Sequence, residues 1–181
     1  MTKEIPYQLR KLFFAIDISD KDKAMLTQWR NNNLVLPYQA ISTDNFHITL
    51  AFLGKINSQQ QQSLILFADE INKKISVDKR RLVIDHYGLF KKPKVLYLGL
   101  NTVPIWLSEL AKQLSEKAIQ LDIFQESRPY CPHLSIYRKA KNLTAYLPCE
   151  LTLTINSFSL YQSISSSKGV KYSPLKTWLL P

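Results

Sequence analysis

Two short segments carry the residues best suited to chemistry. His47-Ile48-Thr49 and His133-Leu134-Ser135 repeat the pattern His-x-Thr/Ser, and they use two of only three histidines in 181 residues. In a β-strand, residues two apart share a face, so each segment sets an imidazole and a hydroxyl side by side. The opposite face is apolar: Phe46, Ile48, Leu50 and Phe52 in the first segment, Leu134 and Ile136 in the second. Imidazoles titrate near pH 6.5, so a facing pair can hold one ring neutral as a base and one protonated as an acid. The hydroxyls of Thr49 and Ser135 can donate to oxygens on which charge builds. A phosphodiester fits such a constellation, with two oxygens exchanged and two held.

Other chemistries find less support. No His-x-His occurs and neither motif contains a carboxylate, so no metal site is expected. The Gly-x-Ser-x-Gly elbow of serine hydrolases is absent. Cys131 and Cys149 are too few for a disulfide framework and lack finger spacing. His86, beside Tyr87 in a strand-like run, reads as a structural or surface residue.

The elements that must position the two motifs follow from periodicity. A strand over Leu12–Ile18 precedes a helix with Asp20 as its cap and Met25, Leu26 and Trp29 inward. The first motif strand, Asn45 to Gly54, leads to a helix capped by Ser58, with Leu64, Phe67, Ala68, Ile71 and Ile75 as its buried stripe. Strand-like runs cover Arg81–Phe90 and Val95–Leu100. A third helix opens at Thr102 and Pro104 and buries Leu107, Leu110, Ala111, Leu114, Ala118 and Leu121. Leu151–Tyr161 and Tyr172–Leu180 close the chain as strands.

An internal echo emerges: strand, helix and histidine strand occur twice at similar spacing. Two such units about an approximate two-fold axis, with their motif strands on two different sheets, would face both histidines into one cleft.

Length fits one domain or two closely packed lobes, and 45% hydrophobic with 21% charged residues is ordinary for a soluble protein. The apolar runs are too short to span a bilayer, and no secretory leader is evident, so no membrane association and a cytoplasmic location are expected. A net charge of +10, with clusters at Lys79-Arg80-Arg81, Lys91-Lys92-Pro93-Lys94 and Arg138-Lys139-Ala140-Lys141, suits a polyanion such as RNA.

These residues together resemble the 2H phosphoesterases, specifically the bacterial RNA 2′,3′-cyclic phosphodiesterases also called 2′-5′ RNA ligases. The resemblance rests on Arg10 to Asp17, Asn45 to Gly54, Val95 to Leu100, Arg128-Pro129 with Pro132 to Ser135, and Tyr172 to Lys176. It implies an α+β fold in which residues 1–181 form a single domain of two lobes. Two antiparallel sheets with flanking helices would be related by pseudo-two-fold symmetry around a central cleft. It implies opening of RNA or nucleoside 2′,3′-cyclic phosphates to 2′-phosphates without metal, cofactor or obligatory protein partner, and reversible 2′-5′ joining of RNA ends.

Matched motif to motif, His47 would be the proton donor, His133 the proton acceptor, and Thr49 and Ser135 the phosphate holders. Arg138 matches a family arginine, yet strict alternation puts Tyr137 and not Arg138 on the His133 face. Both are therefore carried as substrate-binding candidates. Two alternatives stay open: a non-catalytic module of the same fold that binds a nucleotide or RNA end, and a phosphodiesterase acting on 2′-5′ oligonucleotides or a small cyclic phosphate.

Overall fold

A computed structural model describes residues 9–77, 80–143, 149–167 and 169–181; Lys79 of the first basic cluster lies outside them. The chain runs β1 (Arg10–Asp17), α1 (Asp20–Asn33), β2 (Gln39–Ala40), β3 (His47–Ile56), α2 (Ser58–Lys74), β4 (Arg81–Ile84), β5 (His86–Phe90) and β6 (Val95–Gly99). It continues with α3 (Ile105–Gln120), β7 (His133–Arg138), β8 (Leu151–Thr154), β9 (Ser157–Ser166) and β10 (Gly169–Leu179). One antiparallel sheet has the order β10-β9-β1-β3-β7-β6-β5, with β2 on β7, and a second, small sheet pairs β4 with β8.

The two motif strands thus share one sheet instead of lying on two. β3 and β7 meet at the single pair Ile48↔Leu134. β3 otherwise pairs with β1, while β7 pairs with β6 and, at Gln39↔Arg138 and Ala40↔Tyr137, with β2 of the first unit. The antiparallel register about the Ile48↔Leu134 pair sets Thr49 opposite His133 and His47 opposite Ser135. The expected two-fold relation therefore passes between Ile48 and Leu134, both fully buried. Leu50 and Ile136 extend this apolar backing beneath the sheet.

The helices lock the halves from behind. α3 packs on β3, and α2 packs on α3 and β10, burying Leu64, Ala68, Leu107, Leu110 and Leu114. From α1, Leu26 and the guanidinium of Arg30 go inward. Arg30 donates to the Ile41 carbonyl at 2.6 Å and lies over the rings of Phe46 and Tyr137 at 5.4 and 5.7 Å. One cation thereby supports both motif strands from below.

Three helix starts differ from expectation. Ser19, not Asp20, caps α1 by accepting from the Asp22 amide, and Asn57, not Ser58, caps α2 in a reciprocal box with Gln60. In each case the expected cap is the first helical residue. Pro104 precedes α3 without a side-chain cap, so Thr102 does not serve. The run Arg81–Phe90 also breaks at Asp85, sending its two ends to different sheets. That carboxylate accepts from the Asn101 amide and from His86 Nδ1.

Candidate active site

Both motif histidines open their strands and are held in the same way. His47 Nδ1 donates to the Asn45 carbonyl at 2.7 Å, and His133 Nδ1 donates to the Cys131 carbonyl at 2.8 Å. A carbonyl only accepts, so each Nδ1 carries its proton and each Nε2 is the nitrogen left for other partners. Asn45 is itself tied to β10 by its amide, which donates to the Val170 carbonyl. The two histidines lie diagonal to each other across the Ile48↔Leu134 pair, one on each strand.

Aromatic side chains wall in each ring. Phe13 and Tyr172 lie with centroids 5.0 Å from His47, and Tyr161 lies at 6.5 Å. The Tyr161 hydroxyl donates to the Asp17 carboxylate, which also accepts from Ser157 and Ser159, so this wall is braced. Phe90 at 4.7 Å and Tyr97 at 5.6 Å stand edge-on to His133. A side chain at Gly88 would meet the Tyr97 hydroxyl at 2.5 Å, so glycine leaves space for that ring.

Two bulges decide what else reaches the cleft. Opposite β1 the partner of Phe14 is Ala51 and that of Ala15 is Thr49, so Leu50 is the extra residue. Opposite β6 the partner of Leu96 is Tyr137 and that of Tyr97 is Ser135, so Ile136 is extra. A bulge reverses the parity of everything beyond it. Phe52, expected in the core, is 52% exposed. Tyr137, expected beside His133, is buried and donates from its hydroxyl to the Leu34 carbonyl. Arg138 turns to the cleft instead, where its guanidinium donates to the Tyr172 hydroxyl at 3.2 Å. Phe52 and Arg138 are equivalents, each five residues beyond its histidine.

The same family of folds appears among known proteins. A model of the LigT-like phosphoesterases matches residues 16–97. The RNA 2′,3′-cyclic phosphodiesterase of Escherichia coli (strain K12) is 31% identical over 176 residues, covering 94% of this chain and 97% of that protein. The chain belongs to the LigT-like phosphoesterases. The RNA 2′,3′-cyclic phosphodiesterase of Methanocaldococcus jannaschii is 24% identical over 181 residues, covering 93% of this chain and 99% of its own length. The structure of E. coli LigT complexed with 3′-AMP matches with a TM-score of 0.82 at 28% identity, over 95% of this chain and 98% of that one.

In this LigT-like phosphoesterase the cleft divides into two cavities that meet at Thr49 and Phe52. The smaller, about 270 Å³, gathers Phe13, His47, Thr49, Ser135, Arg138 and Tyr172. The larger, about 700 Å³, begins at His133.

Burial pushes the His47 pKa down to about 4. The Asn45 carbonyl opposes this shift, while positive charge on His133, Arg138 and Lys23 adds to it. Burial also lowers His133, helped by Arg128 and opposed by the Cys131 carbonyl. An anionic phosphodiester between the rings acts the other way and draws protons onto them.

Among the described residues, no group of three or more His, Cys, Asp or Glu side chains gathers as a metal site would require. No helix among them is long and apolar enough to cross a membrane. His86, the third histidine, is half-buried and edge-on to Tyr97. The walls Phe13, Phe90, Tyr97, Tyr161 and Tyr172 were not legible as site residues from spacing. They come from strands far apart in the chain, and only the pairing order brings them together.

Proposed function

We propose that this phosphoesterase opens RNA and nucleoside 2′,3′-cyclic phosphates to 2′-phosphates, with residues 1–181 acting as one unit of two lobes in the cytoplasm. The observation that carries the reading is the antiparallel meeting of two His-x-Thr/Ser strands at Ile48↔Leu134, each Nδ1 committed to a carbonyl. The working atoms are then two Nε2 nitrogens and two hydroxyls around a space suited to one phosphate. The named activity of the E. coli and M. jannaschii relatives supports it.

In this reading His133 Nε2 takes a proton from water as the water oxygen bonds to phosphorus. His47 Nε2 gives a proton to the departing O3′, leaving the phosphate on O2′. Thr49, Ser135 and the Arg138 guanidinium hold the non-bridging oxygens, whose charge they offset as it grows. Tyr137 has no part, since it lies beneath the sheet. His47 acquires its proton with the substrate, because the phosphate anion reverses the balance that keeps the free ring neutral.

The test is product analysis on RNA ending in a 2′,3′-cyclic phosphate, in excess chelator. A 2′-phosphate end is expected. An intact cyclic end, or a 3′-phosphate product, would refute the reading.

A further inference from the structure

The sheet sets two lysines side by side without a countercharge. Lys11 of β1 pairs in register with Lys55 of β3, so their side chains stand opposite each other on one face. That face is the cleft face, because Phe13, two residues on from Lys11, walls His47. Lys55 reaches it through a further bulge in β3. Opposite Leu12 stands Gly54 and opposite Phe13 stands Phe52, so Leu53 is the extra residue. Gly54 takes φ +66°, a left-handed conformation that glycine enters without a Cβ clash.

Like charges directly opposite on a sheet are destabilising. Among the described residues neither ammonium joins an ion pair, and both side chains are exposed. Lys11 leans over the Phe52 ring, its Nζ 5.6 Å from the centroid, and lines the smaller cavity. β3 begins at His47 and passes Lys55 near its end, so Ser135 and Arg138 stand at one end of that cavity and Lys11 at the other. Phe13, Thr49 and Phe52 lie between them.

A phosphate held by His47, Thr49, Ser135 and Arg138 fills one end only. With O3′ leaving on the His47 side, the ribose that keeps the phosphate lies in the same cavity. Its 5′ substituent then has the Phe13 wall to follow toward Lys11. We propose that Lys11 and Lys55 form a second anion site, which takes the phosphate on the 5′ side of the terminal nucleotide. The proposal rests on the function given above and adds a substrate preference to it. Arg138 and the lysine pair hold successive phosphates of one strand, so an RNA end is favoured over a bare nucleoside cyclic phosphate. The phosphate also relieves the repulsion between the two ammonium groups.

The experiment compares kcat/KM for three substrates: adenosine 2′,3′-cyclic phosphate, the same nucleotide bearing a 5′-phosphate, and a dinucleotide ending in the cyclic phosphate. The second and third should be preferred over the first by about fivefold, the upper worth of one exposed charge pair. Added salt should erode that preference, since both ammonium groups are solvated. Lys11→Gln should bring it close to one, Lys55→Gln should reduce it less, and Lys11→Arg should keep it. Turnover of adenosine 2′,3′-cyclic phosphate shows that each variant is folded.

Equal kcat/KM with and without the 5′-phosphate in the wild-type protein would overturn the site and leave the proposed function standing. A preference that survives Lys11→Gln would also overturn it, by placing the phosphate elsewhere. So would a preference lost in Lys11→Arg, which would make the packing of the lysine stem on Phe52 the cause. A gain from the 5′-monoester that the dinucleotide lacks would overturn the assignment to a strand. Failure to hydrolyse any of the three would remove the proposed function itself.

Discussion

The two halves of the cleft use one construction and enclose it differently. Each has a histidine that begins a strand, an Nδ1 tied two residues back, a hydroxyl two residues on, and a bulge that returns the fifth residue to the cleft. Around His47 the wall is closed by Phe13, Tyr161 and Tyr172, and Arg138 leans in. Among the described residues, the rings beside His133 are those of Phe90 and Tyr97, and the large cavity begins there. The repeat supplies two like nitrogens, and the surrounding strands make them unlike. On the proposed mechanism, enclosure and neighbouring charge, not the motif, would divide the labour: the enclosed side would take the leaving oxygen, the open side an entering group that must arrive and exchange.

The largest expected effect tests that division directly. His47→Ala and His133→Ala should each lower kcat/KM by about 10²–10⁴-fold, the usual worth of a positioned acid or base. The double variant should lose little beyond the worse single one, because the two act as a unit. A substrate whose leaving group needs no protonation should rescue His47→Ala and leave His133→Ala inactive. Rescue of His133→Ala in its place would reverse the roles of the two halves. Near-wild-type turnover in either single variant would end the two-histidine mechanism.

Proton affinity should separate the halves next. The pH profile of kcat/KM reports the free enzyme, where both rings are pushed below the ordinary value of 6.5 and His47 reaches about 4. Both limbs should therefore fall on the acid side of an unperturbed imidazole. In kcat, with the phosphate anion between the rings, they should move up. The apparent values belong to the pair, since each ring feels the other.

Stability carries the same signature. Between pH 6.5 and about 4 the unfolded chain binds a proton that folded His47 refuses. The Tm should therefore be full above pH 6.5 and decline toward pH 4, and His47→Gln should flatten that decline. A kcat/KM limb pair at or above 6.5 would show that enclosure does not set the difference.

Much of this arrangement was legible in the sequence. The motifs, their apolar backing and the helical stripes follow from local periodicity, because burial of one face is a local demand on side-chain type. The strand–helix–strand echo gave the two-fold relation. What failed was whatever depends on the partner strand. Strict alternation put Phe52 in the core and Tyr137 in the cleft, and one extra residue at Leu50 and at Ile136 reversed both. The trace was present as doubled apolar residues, Leu50-Ala51 and Ile136-Tyr137, followed by a side chain of the cleft. The shared sheet was hidden for a related reason: β3 and β7 meet at one pair, Ile48↔Leu134, and the two-residue β2 adds two more on β7, and no pattern within these strands announces either. Cap positions slipped by one because Ser19-Asp20 and Asn57-Ser58 each offer two adjacent capping side chains, and only backbone geometry chooses between them.

The smallest expected effect concerns the one chemical difference between the motifs, Thr49 against Ser135. Removing either hydroxyl with alanine deletes a hydrogen bond to a charged phosphate, worth about 1.5–3 kcal/mol, so roughly tenfold or more in kcat/KM. Exchanging the hydroxyl's carrier should matter far less. Threonine is stiff about χ1 while serine samples three staggered wells, so pre-setting the rotamer is worth at most a factor of about three. Thr49→Ser should accordingly lower kcat/KM by up to about threefold, and Ser135→Thr should raise it by no more than that. The signs are opposite because the first loses a fixed rotamer and the second gains one. If Ser135→Thr instead cost as much as Ser135→Ala, the added methyl would be clashing with the Tyr97 side of the cleft, since Tyr97 is the β6 partner of Ser135. The two hydroxyls would then be equivalent in chemistry and not in space, and the asymmetry found around the rings would extend to the phosphate itself.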